Sequence, residues 1–439
     1  MKQDLCDWRG LDALAARLVE QAERVGQPLD PFRFLTLTDD EAAQQRNARR
    51  WARRFETARQ QPRPAVARDR IALGYLSADL QHHATAHLMA QLFELHDRRR
   101  FSVTAYSLGA DDGSAERRRL LRAFDRFVDC AGLPAEAVAR RIAEEETDIL
   151  IDLKGYTRDA APRVLAARPA PVQVQWIGFP GTLGASFVDY LLADRLVLPD
   201  PARGFYDERV VRLPGSYQVN DRRRPRPRTA PPRAAFGLPE GGPVAACFNN
   251  PNKLTPKVFA LWMRLLAAVG DATLWLLCDR AEGRANLRAA AEGHGIDGRR
   301  LVFATKLPLE AHLARYRHVD LFLDTLPYNA HTTASDALWM GCPLVTRIGD
   351  SFAGRVAASL LAAVGLERYV TRTPEAYEAV ARRLLQSPEE RTAVREHLAR
   401  NPESLPLFDT PRTTAAVERA YETMWARALA GLAPQSFDL

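Results

Sequence analysis

Apolar residues in the first 65 positions recur at the spacing of amphipathic helices. A first helix is predicted from the series Leu11, Leu14, Leu18, Ala22 and Val25. The run Thr38–Glu41 resembles a capping box and predicts a second helix toward Phe55. Pro62, Arg63 and Pro64 follow, so we predict a helical N-terminal segment over residues 1–65.

From Ile71 onward, short apolar runs alternate with amphipathic stretches. The predicted strands are Ile71–Ser77, Phe101–Leu108, Ile149–Leu153, Val172–Ile177, Tyr190–Ala193, Val244–Phe248, Thr273–Cys278, Leu301–Thr305, Leu321–Asp324 and Pro343–Thr346. The predicted helices are Thr85–Leu95, Ala135–Glu145, Pro256–Val269, Leu309–Arg317, Thr333–Met340 and Thr413–Leu429. Nearly continuous apolar strands that alternate with helices indicate parallel sheets covered on both faces.

A segment rich in proline and arginine separates the two sets of strands. Residues 221–233 read DRRRPRPRTAPPR and show no apolar periodicity, which indicates a linker or exposed loop. We therefore predict an α/β protein with two Rossmann-like domains and a ligand cleft between them. The predicted boundaries are 66–220 for the N-terminal domain, 221–242 for the linker, 243–410 for the C-terminal domain and 411–439 for a final helix.

Composition narrows the class of protein. The chain has 46% hydrophobic and 26% charged residues, as ordinary globular proteins do, and a formal net charge of +7. The basic residues are dispersed and no nucleic-acid-binding motif is present, so we expect an anionic small ligand rather than a nucleic-acid partner.

The five cysteines form no C-x-x-C pair, and the first residues lack the apolar core of a signal peptide. No apolar run is long enough for a bilayer, so we expect a cytoplasmic protein without a membrane partner.

The run TLPYNAHTTASDALWMGCPLV, residues 325–345, is the strongest local signal. It follows an apolar strand, and a helix is predicted to begin near Thr332 and Thr333. Thr333 and Asp336 have the spacing of an N-terminal cap. Free N–H groups at a helix start bind anions, and a diphosphate would fit there. The alternative is a plain helix cap with His331 on the surface.

Lysine and histidine follow two other predicted strands. In CFNNPNKLTP, residues 247–256, Lys253 precedes a helix, where it is either a solvated lysine or a charge that stabilises a leaving diphosphate. In GYLSADLQHHATAHLM, residues 74–89, His82 and His83 lie in a loop and His87 in the first helical turn. Histidine can move a proton to or from a hydroxyl. His83 and His87 have a metal-ligand spacing, but no H-E-x-x-H pattern and no nearby cysteine supports zinc.

A further segment and several absent motifs complete the candidate chemistry. In KLPLEAHLARYRHVD, residues 306–320, His312 and Arg315 share one face of a predicted helix, which could equally be an exposed amphipathic helix. The chain contains no D-x-D, the carboxylate pair that commonly holds a metal ion to a nucleotide diphosphate. We therefore expect no metal ion and no cofactor. It also contains no P-loop, and its G-x-G-x-x-G run, residues 293–298, comes before a predicted strand rather than after one, which disfavours ATPases and dehydrogenases.

These segments, in this order, resemble the catalytic region of the O-linked N-acetylglucosamine transferase and SPINDLY family. The resemblance extends from about Ile71 to the C-terminal helix. Besides the runs already quoted, it rests on LKGYTRDA (153–160), ARPAPVQVQWIGFPGTLGASFVDY (167–190), ATLWLL (272–277) and GRVAASLL (354–361). The resemblance implies a GT-B-type glycosyltransferase that is inverting and metal-independent, in agreement with the missing D-x-D.

The resemblance also assigns roles to residues of this chain. It implies that Lys253 contacts the donor diphosphate and that Asn250 replaces a glutamine that also touches it. It implies that His83 corresponds to a histidine discussed as a base near the acceptor. The implied donor-nucleotide set is Asn250, Lys253, Lys306, His312, Arg315, His331, Thr332, Thr333 and Asp336. The implied catalytic residues are His83 and Lys253.

The expected activity is transfer of N-acetylglucosamine from UDP-GlcNAc to Ser or Thr hydroxyls of a protein acceptor. The alternatives are another donor, such as GDP-fucose or UDP-glucose, and an asparagine or small-molecule acceptor. From other classes, a nucleotide-sugar epimerase or a non-catalytic binding module remains possible. The family's tetratricopeptide array has no counterpart here beyond the segment 1–65, and Asn250 and Asn252 differ from residues that line the donor sugar pocket in the animal enzyme.

Overall fold

A computed structural model of the protein describes residues 2–56 and 63–439. Contacts within the chain divide it into two compact units. The C-terminal unit consists of Met1–Glu20 and Arg224–Leu405, and the N-terminal unit consists of Gln21–Arg223 and Pro406–Leu439. Pro62, part of the predicted boundary after the helical segment, lies outside the described residues.

Both units are built from alternating strands and helices. The strands are β1 Ile71–Ser77, β2 Phe101–Ser107, β3 Arg126–Asp129, β4 Ile149–Asp152, β5 Val172–Gln175, β6 Tyr190–Ala193, β7 Arg209–Arg212, β8 Val244–Cys247, β9 Thr273–Leu277, β10 Leu301–Ala304, β11 Leu321–Leu323, β12 Leu344–Arg347, β13 Val370–Thr371 and β14 Phe437–Asp438. The α-helices are α1 Leu11–Val25, α2 Pro31–Phe34, α3 Glu41–Ala52, α4 Ala84–Leu95, α5 Ala115–Ala123, α6 Ala135–Glu144, α7 Pro162–Ala166, α8 Pro256–Ala268, α9 Ala281–Gly293, α10 Leu309–Ala314, α11 Thr332–Trp339, α12 Val356–Ala362, α13 Pro374–Gln386, α14 Pro388–Arg400 and α15 Thr410–Leu429.

The N-terminal unit contains an eight-stranded parallel sheet in the order β14-β7-β6-β5-β4-β1-β2-β3. Strand β1 is central and its neighbours pack closely, because Gly74 carries no side chain. A Cβ at Gly74 would lie 2.8 Å from side-chain atoms of both Tyr106 and Thr147. From β1 the chain runs outward through β2 and β3, then returns to β4 on the other side. The strand order therefore reverses between β1 and β4, where open α/β sheets bind ligands.

The C-terminal unit contains a six-stranded parallel sheet in the order β10-β9-β8-β11-β12-β13. Every residue of β8 and β11 is buried, as expected for central strands of a sheet covered on both faces. The chain runs outward from β8 through β9 and β10 and returns to β11. This second reversal lies between β8 and β11.

The predicted fold class is confirmed: each unit is a parallel-sheet, Rossmann-like domain. All ten predicted strands exist, with ends that differ by at most two residues. The strands that were not predicted are β3, β7, β13 and β14, which are short and at or near sheet edges. Their sequences include exposed charged residues such as Arg126 and Arg209, which interrupt the apolar pattern of a strand.

The units group the terminal segments differently from the predicted boundaries. Within the segment 1–65, the first residues pack in the C-terminal unit, where the Asn286 side chain donates to the Leu5 carbonyl (2.9 Å). Helix α3 lies in the N-terminal unit, where Arg49 pairs with Asp207. The final helix α15 also lies there, with the Tyr421 hydroxyl 3.2 Å from that of Tyr75. An amphipathic pattern shows that a helix has an apolar face but not which core covers it.

The segment predicted as a linker or exposed loop has buried residues near its start. Asp221 and Arg224 are 1% and 4% exposed. Arg224 Nη1 donates to Asp336 Oδ1 (2.6 Å), and the Trp339 indole donates to the Pro225 carbonyl (3.0 Å). A segment rich in arginine and proline has the composition of a loop, but in this structure Arg224 and Pro225 contact residues of helix α11. Among the described residues, no helix is long and apolar enough to cross a membrane.

Candidate functional site

Two polar centres lie where the strand order of each sheet reverses. In the C-terminal unit, the loop after β8 carries Asn249 and Lys253, and the loop after β11 leads into helix α11 at Thr332. In the N-terminal unit, the loop after β1 carries Asp79 and His83, close to the end of β4. Parallel strands bring their carboxyl ends to one edge, which explains why residues distant in sequence meet there.

Lys253 is half-buried and its ammonium group meets mostly neutral groups. Its Nζ donates to the Asn329 carbonyl (2.8 Å) and lies 3.8 Å from the ring centre of Tyr328. No carboxylate oxygen of residues 2–56 or 63–439 lies within salt-bridge distance of Nζ. Burial lowers the pKa of Lys253 to about 8, although the charge of Asp324 acts in the opposite direction. The ammonium is therefore held near strand ends with charge available for an anion.

Asp324 fixes the loop that follows β11. Its carboxylate accepts hydrogen bonds from the Ala330 amide (2.6 Å), the Thr325 amide (2.7 Å) and the Thr346 hydroxyl (2.6 Å). Burial raises the pKa of Asp324 to about 7, against the lowering effect of these hydrogen bonds and of Lys253. The loop geometry that presents helix α11 thus depends on a buried acid that the sequence did not single out.

Helix α11 begins at Thr332, close to the predicted start, but its N-cap residue is not Thr333, so the predicted Thr333 cap is wrong. His331 is the N-cap residue, and Thr332 and Thr333 form the first turn. The Thr333 hydroxyl donates to Asn249 Oδ1 and so joins the loop after β8 to the helix. Among the described residues, no acceptor bonds the backbone N–H groups of Thr332 and Thr333. Backbone N–H groups of this kind at a helix start are able to bind an anion.

His331 is held as a neutral ring beside this helix start. Its Nε2 donates to the Ala353 carbonyl (3.3 Å), and its ring centre is 4.9 Å from that of Tyr328. Burial lowers the pKa of His331 well below its usual range, and the charge of Lys253 lowers it further. His331, Tyr328 and Lys253 therefore form one cluster at the reversal point, with Lys253 as its only cation.

His312, Arg315 and Asp336 form a second group behind the helix start. The Arg315 guanidinium donates to His312 Nδ1, so the proton of the neutral ring lies on Nε2, 3.3 Å from Asp336 Oδ2. Burial lowers the pKa of His312, and Arg315 lowers it further. Asp336 also pairs with Arg224, so its carboxylate interacts within the unit rather than with the helix cap. The structure thus brings these three predicted residues together, and Arg224, which sequence reasoning assigned to the linker, joins the group at Asp336.

Two residues of the predicted donor-nucleotide set are exposed. Asn250 is exposed, and it is the preceding Asn249 that is buried and bonds Thr333 and Thr325. The side chain of Lys306 is exposed, and its backbone amide donates to Asp279 (3.1 Å). Asn249 and Asn250 are adjacent and have the same side chain, so the sequence alone does not show which of them is buried. In the structure, the backbone after β8 places Asn249 in the interior and Asn250 at the surface.

The centre in the N-terminal unit joins His83 to a buried ion pair. Lys154 Nζ lies 2.7 Å from Asp79 Oδ2, and His83 Nδ1 lies 3.4 Å from the same oxygen. His83 is also the N-cap residue of α4, and its Nδ1 accepts from the Thr85 amide (3.2 Å). Burial lowers the pKa of His83, Asp79 raises it, and Lys154 lowers it. Lys154 and Asp79 lie in quoted motifs, but nothing in the sequence indicated their pairing.

The five cysteines lie in the interior and form no disulfide. All five are free and buried. Burial raises the pKa of Cys342 to about 12, so that its thiol is neutral and unreactive at physiological pH.

Comparison with known proteins gives a consistent family assignment. The profile described as glycosyl transferase family 41 matches residues 55–228 and 223–417. The SEC protein of Arabidopsis thaliana, described as a probable UDP-N-acetylglucosamine–peptide N-acetylglucosaminyltransferase, is 36% identical over 376 residues, 84% of this chain and 38% of its own length. The tomato (Solanum lycopersicum) SPINDLY protein, with the same activity description, is 31% identical over 397 residues, 88% of this chain and 42% of its own. The chain therefore spans about two fifths of the length of these relatives.

A solved structure supports the same assignment. A lysine-to-methionine mutant of the O-GlcNAc transferase of Thermobaculum terrenum superposes with a TM-score of 0.83 at 32% identity. The match covers 91% of this chain and 77% of that one. A sucrose-phosphate synthase of Thermosynechococcus elongatus matches with a TM-score of 0.54 at 12% identity, which shows a shared fold alone.

Proposed function

Because the chain belongs to glycosyl transferase family 41, we propose that it transfers N-acetylglucosamine from UDP-GlcNAc to a Ser or Thr hydroxyl of a protein. The descriptions of the SEC and SPINDLY relatives support this donor and a peptide acceptor. The observation that carries the proposal is the position of Lys253, whose ammonium lies at the reversal point of its sheet, close to neutral partners and to the start of α11.

The proposed reaction is a single inverting displacement. The acceptor oxygen forms a bond to C1 of the sugar, while the bond from C1 to the diphosphate oxygen breaks and its electrons leave with UDP. Negative charge grows on the diphosphate in the transition state, and Lys253 with the N–H groups of Thr332 and Thr333 would stabilise it there. These donors do the work that a metal ion does in other transferases, so the proposed reaction needs no metal and no cofactor.

His83 is proposed to act on the acceptor hydroxyl, and its tautomer decides how. While Nδ1 accepts from the Thr85 amide, the neutral ring carries its proton on Nε2 and can only donate to the acceptor oxygen. Nε2 becomes a base when the proton lies on Nδ1 and is donated to Asp79, 3.4 Å away. Asp79 therefore supports the base form, as a carboxylate does for a histidine in general acid–base catalysis.

The remaining sequence-based site residues are part of the same proposal. His312, Arg315 and Asp336 would hold the nucleoside behind the helix start, because they form a rigid, hydrogen-bonded group next to α11. His331 would line the diphosphate site as a neutral ring, and Asn250 and Lys306 would meet the donor from exposed positions. A cytoplasmic location is also proposed, since the five cysteines are free thiols.

The test is turnover of a panel of nucleotide sugars, UDP-GlcNAc, UDP-glucose and GDP-fucose, in the presence of EDTA and with cell lysate as acceptor. Transfer of labelled N-acetylglucosamine to protein, with release of UDP, is the expected result. Lys253→Met should abolish transfer, whereas Lys257→Met, four residues away on the exposed side of α8, should retain it. Conversion of the donor to another sugar without any acceptor would instead indicate an epimerase, and loss of transfer in EDTA with the fold intact would contradict the metal-independent mechanism.

A further inference from the structure

Three potential metal ligands that the proposed transfer does not use meet in the N-terminal unit. His82 lies in the loop before α4, His87 lies in the first turn of α4, and Glu116 lies in the first turn of α5. Their ligating atoms all lie within 4.8 Å of one another. The histidine pair weighed from the sequence, His83 with His87, does not share such a centre, because His83 Nδ1 faces Asp79 and Thr85.

The distances fit the size of a metal coordination sphere. His82 Nδ1 lies 3.3 Å from Glu116 Oε2, and His87 Nε2 lies 3.3 Å from Glu116 Oε1. Zinc bonds to nitrogen and oxygen are about 2.0–2.2 Å long, so two ligands of a tetrahedral ion are about 3.3–3.5 Å apart. Glu116 therefore already stands at ligand distance from both imidazoles, and its two oxygens face different rings.

The surroundings of the three side chains hold them in place and leave one side open. The His82 backbone amide donates to Asp112 Oδ2 (2.8 Å), which fixes the loop next to α5. The N-cap residue Ser114 fixes the first turn of α5, where Glu116 lies. The side chains of His82, His87 and Glu116 are 48%, 11% and 26% exposed, so the cluster is half-enclosed and reachable from solvent.

The charge state of Glu116 also suits a cation. A glutamate carboxylate is ionised at neutral pH, as a metal ligand must be. Two imidazoles with one carboxylate favour zinc, cobalt, nickel or copper over magnesium or calcium, which prefer oxygen ligands only.

We propose that His82, His87 and Glu116 bind one divalent transition-metal ion of the zinc type, with water in the open position. This site lies in the N-terminal unit and shares no residue with the Lys253 centre of the C-terminal unit. It also shares no residue with the group formed by His83, Asp79 and Lys154, although His82 and His83 are adjacent in the sequence. Its test measures metal binding rather than transfer, so either proposal can fail while the other stands.

The test is direct metal binding to the whole chain after treatment with EDTA and desalting. Co²⁺ is titrated against its visible absorption, and Zn²⁺ is titrated by calorimetry. One ion per chain and the intense absorption bands of low-coordinate cobalt are expected. Each of His82→Asn, His87→Asn and Glu116→Gln should weaken binding at least about 100-fold, because even loss of a group that only orients a ligand costs about 10–100-fold.

His83→Asn is the matched control, since it removes the neighbouring histidine and leaves all three ligands. It should bind both ions as the unchanged chain does. His82→Asn is expected to fold, because its side chain is half-exposed, and circular dichroism of each variant checks this. The proposal is overturned if the unchanged chain shows no saturable binding, if Glu116→Gln binds as tightly as the unchanged chain, or if His83→Asn loses binding as His82→Asn does.

Discussion

At the residue scale, the lowered pKa of Lys253 makes donor binding depend on pH. Burial lowers this pKa to about 8 in the free protein, and a bound diphosphate would raise it again because the anion favours the charged form. The dissociation constant of UDP should thus be constant below about pH 8 and rise by up to about tenfold per pH unit above it. Calorimetric titration of UDP between about pH 6.5 and 9.5 measures this. A constant that does not change over the alkaline half of that range would contradict the role of Lys253.

His83 gives a prediction about catalysis rather than binding. His83→Gln removes the group proposed to handle the acceptor proton, so kcat should fall by about 100-fold or more, the usual contribution of general acid–base catalysis. The KM for UDP-GlcNAc should stay within about twofold, because the donor residues lie in the other unit. Steady-state kinetics with a fixed acceptor separates the two constants. His294→Gln, at an exposed position, is the control, and an unchanged kcat in His83→Gln would remove His83 from the mechanism.

At the element scale, Arg224 and Pro225 of the arginine-rich segment before β8 pack against helix α11. Arg224 is buried and pairs with the buried Asp336. Arg224→Met would leave that carboxylate without its cation, which costs about 3–5 kcal/mol of unfolding free energy. Arg223→Met, one position earlier and 65% exposed, should cost less than about 1 kcal/mol. Urea denaturation of both variants tests this, and equal stabilities would contradict the structural role of Arg224.

Strand β7 depends on a buried acid at its start. Glu208 accepts from the Thr182 hydroxyl (2.7 Å) and the Leu183 amide (2.6 Å), and burial raises its pKa to about 7 despite these bonds. A raised pKa in the folded state means that its stabilising contribution is full below about pH 4.5 and is lost as pH rises through about 7. A shift of this size corresponds to about 3 kcal/mol.

Glu208→Gln tests that assignment, because glutamine keeps the shape but does not titrate. Its Oε1 can accept from Leu183 and its Nε2 can donate to the Thr182 hydroxyl. The unfolding free energy of this variant should fall less between about pH 5 and 7 than that of the unchanged chain, as measured by urea denaturation at both pH values. Identical slopes in the two proteins would show that Glu208 does not titrate in this range.

The elements that define the fold were predictable, and the reason is physical. Central parallel strands such as β1, β8 and β11 are buried on both faces, so their apolar runs are unambiguous in the sequence. Short strands at or near a sheet edge, such as β3 and β7, carry charged residues and look like loops. The predicted Thr333 cap failed for a different reason: its hydroxyl bonds Asn249 across 84 positions of sequence, a tertiary contact that overrides the local capping pattern.

At the scale of the whole molecule, the two sheets share one topological feature. Each reverses its strand order once, and the sequence-based site residues Lys253 and His83 lie at the two reversal points. Both residues lie in the loop that follows a strand, and the sequence shows where these two strands end. The buried partners Asn249, Arg224 and Lys154 could not be predicted, because side-chain pairing between loops distant in sequence leaves no local pattern.

The central claim is that Lys253 holds the donor diphosphate without a metal ion, and UDP binding measured in EDTA tests it most directly. The unchanged chain and Lys257→Met should bind UDP equally well in EDTA and in Mg²⁺. Lys253→Met should bind it about 10–100-fold more weakly in both, as expected for loss of one charge-assisted hydrogen bond of about 1.5–3 kcal/mol. Binding that requires Mg²⁺, or that survives unchanged in Lys253→Met, would contradict the claim.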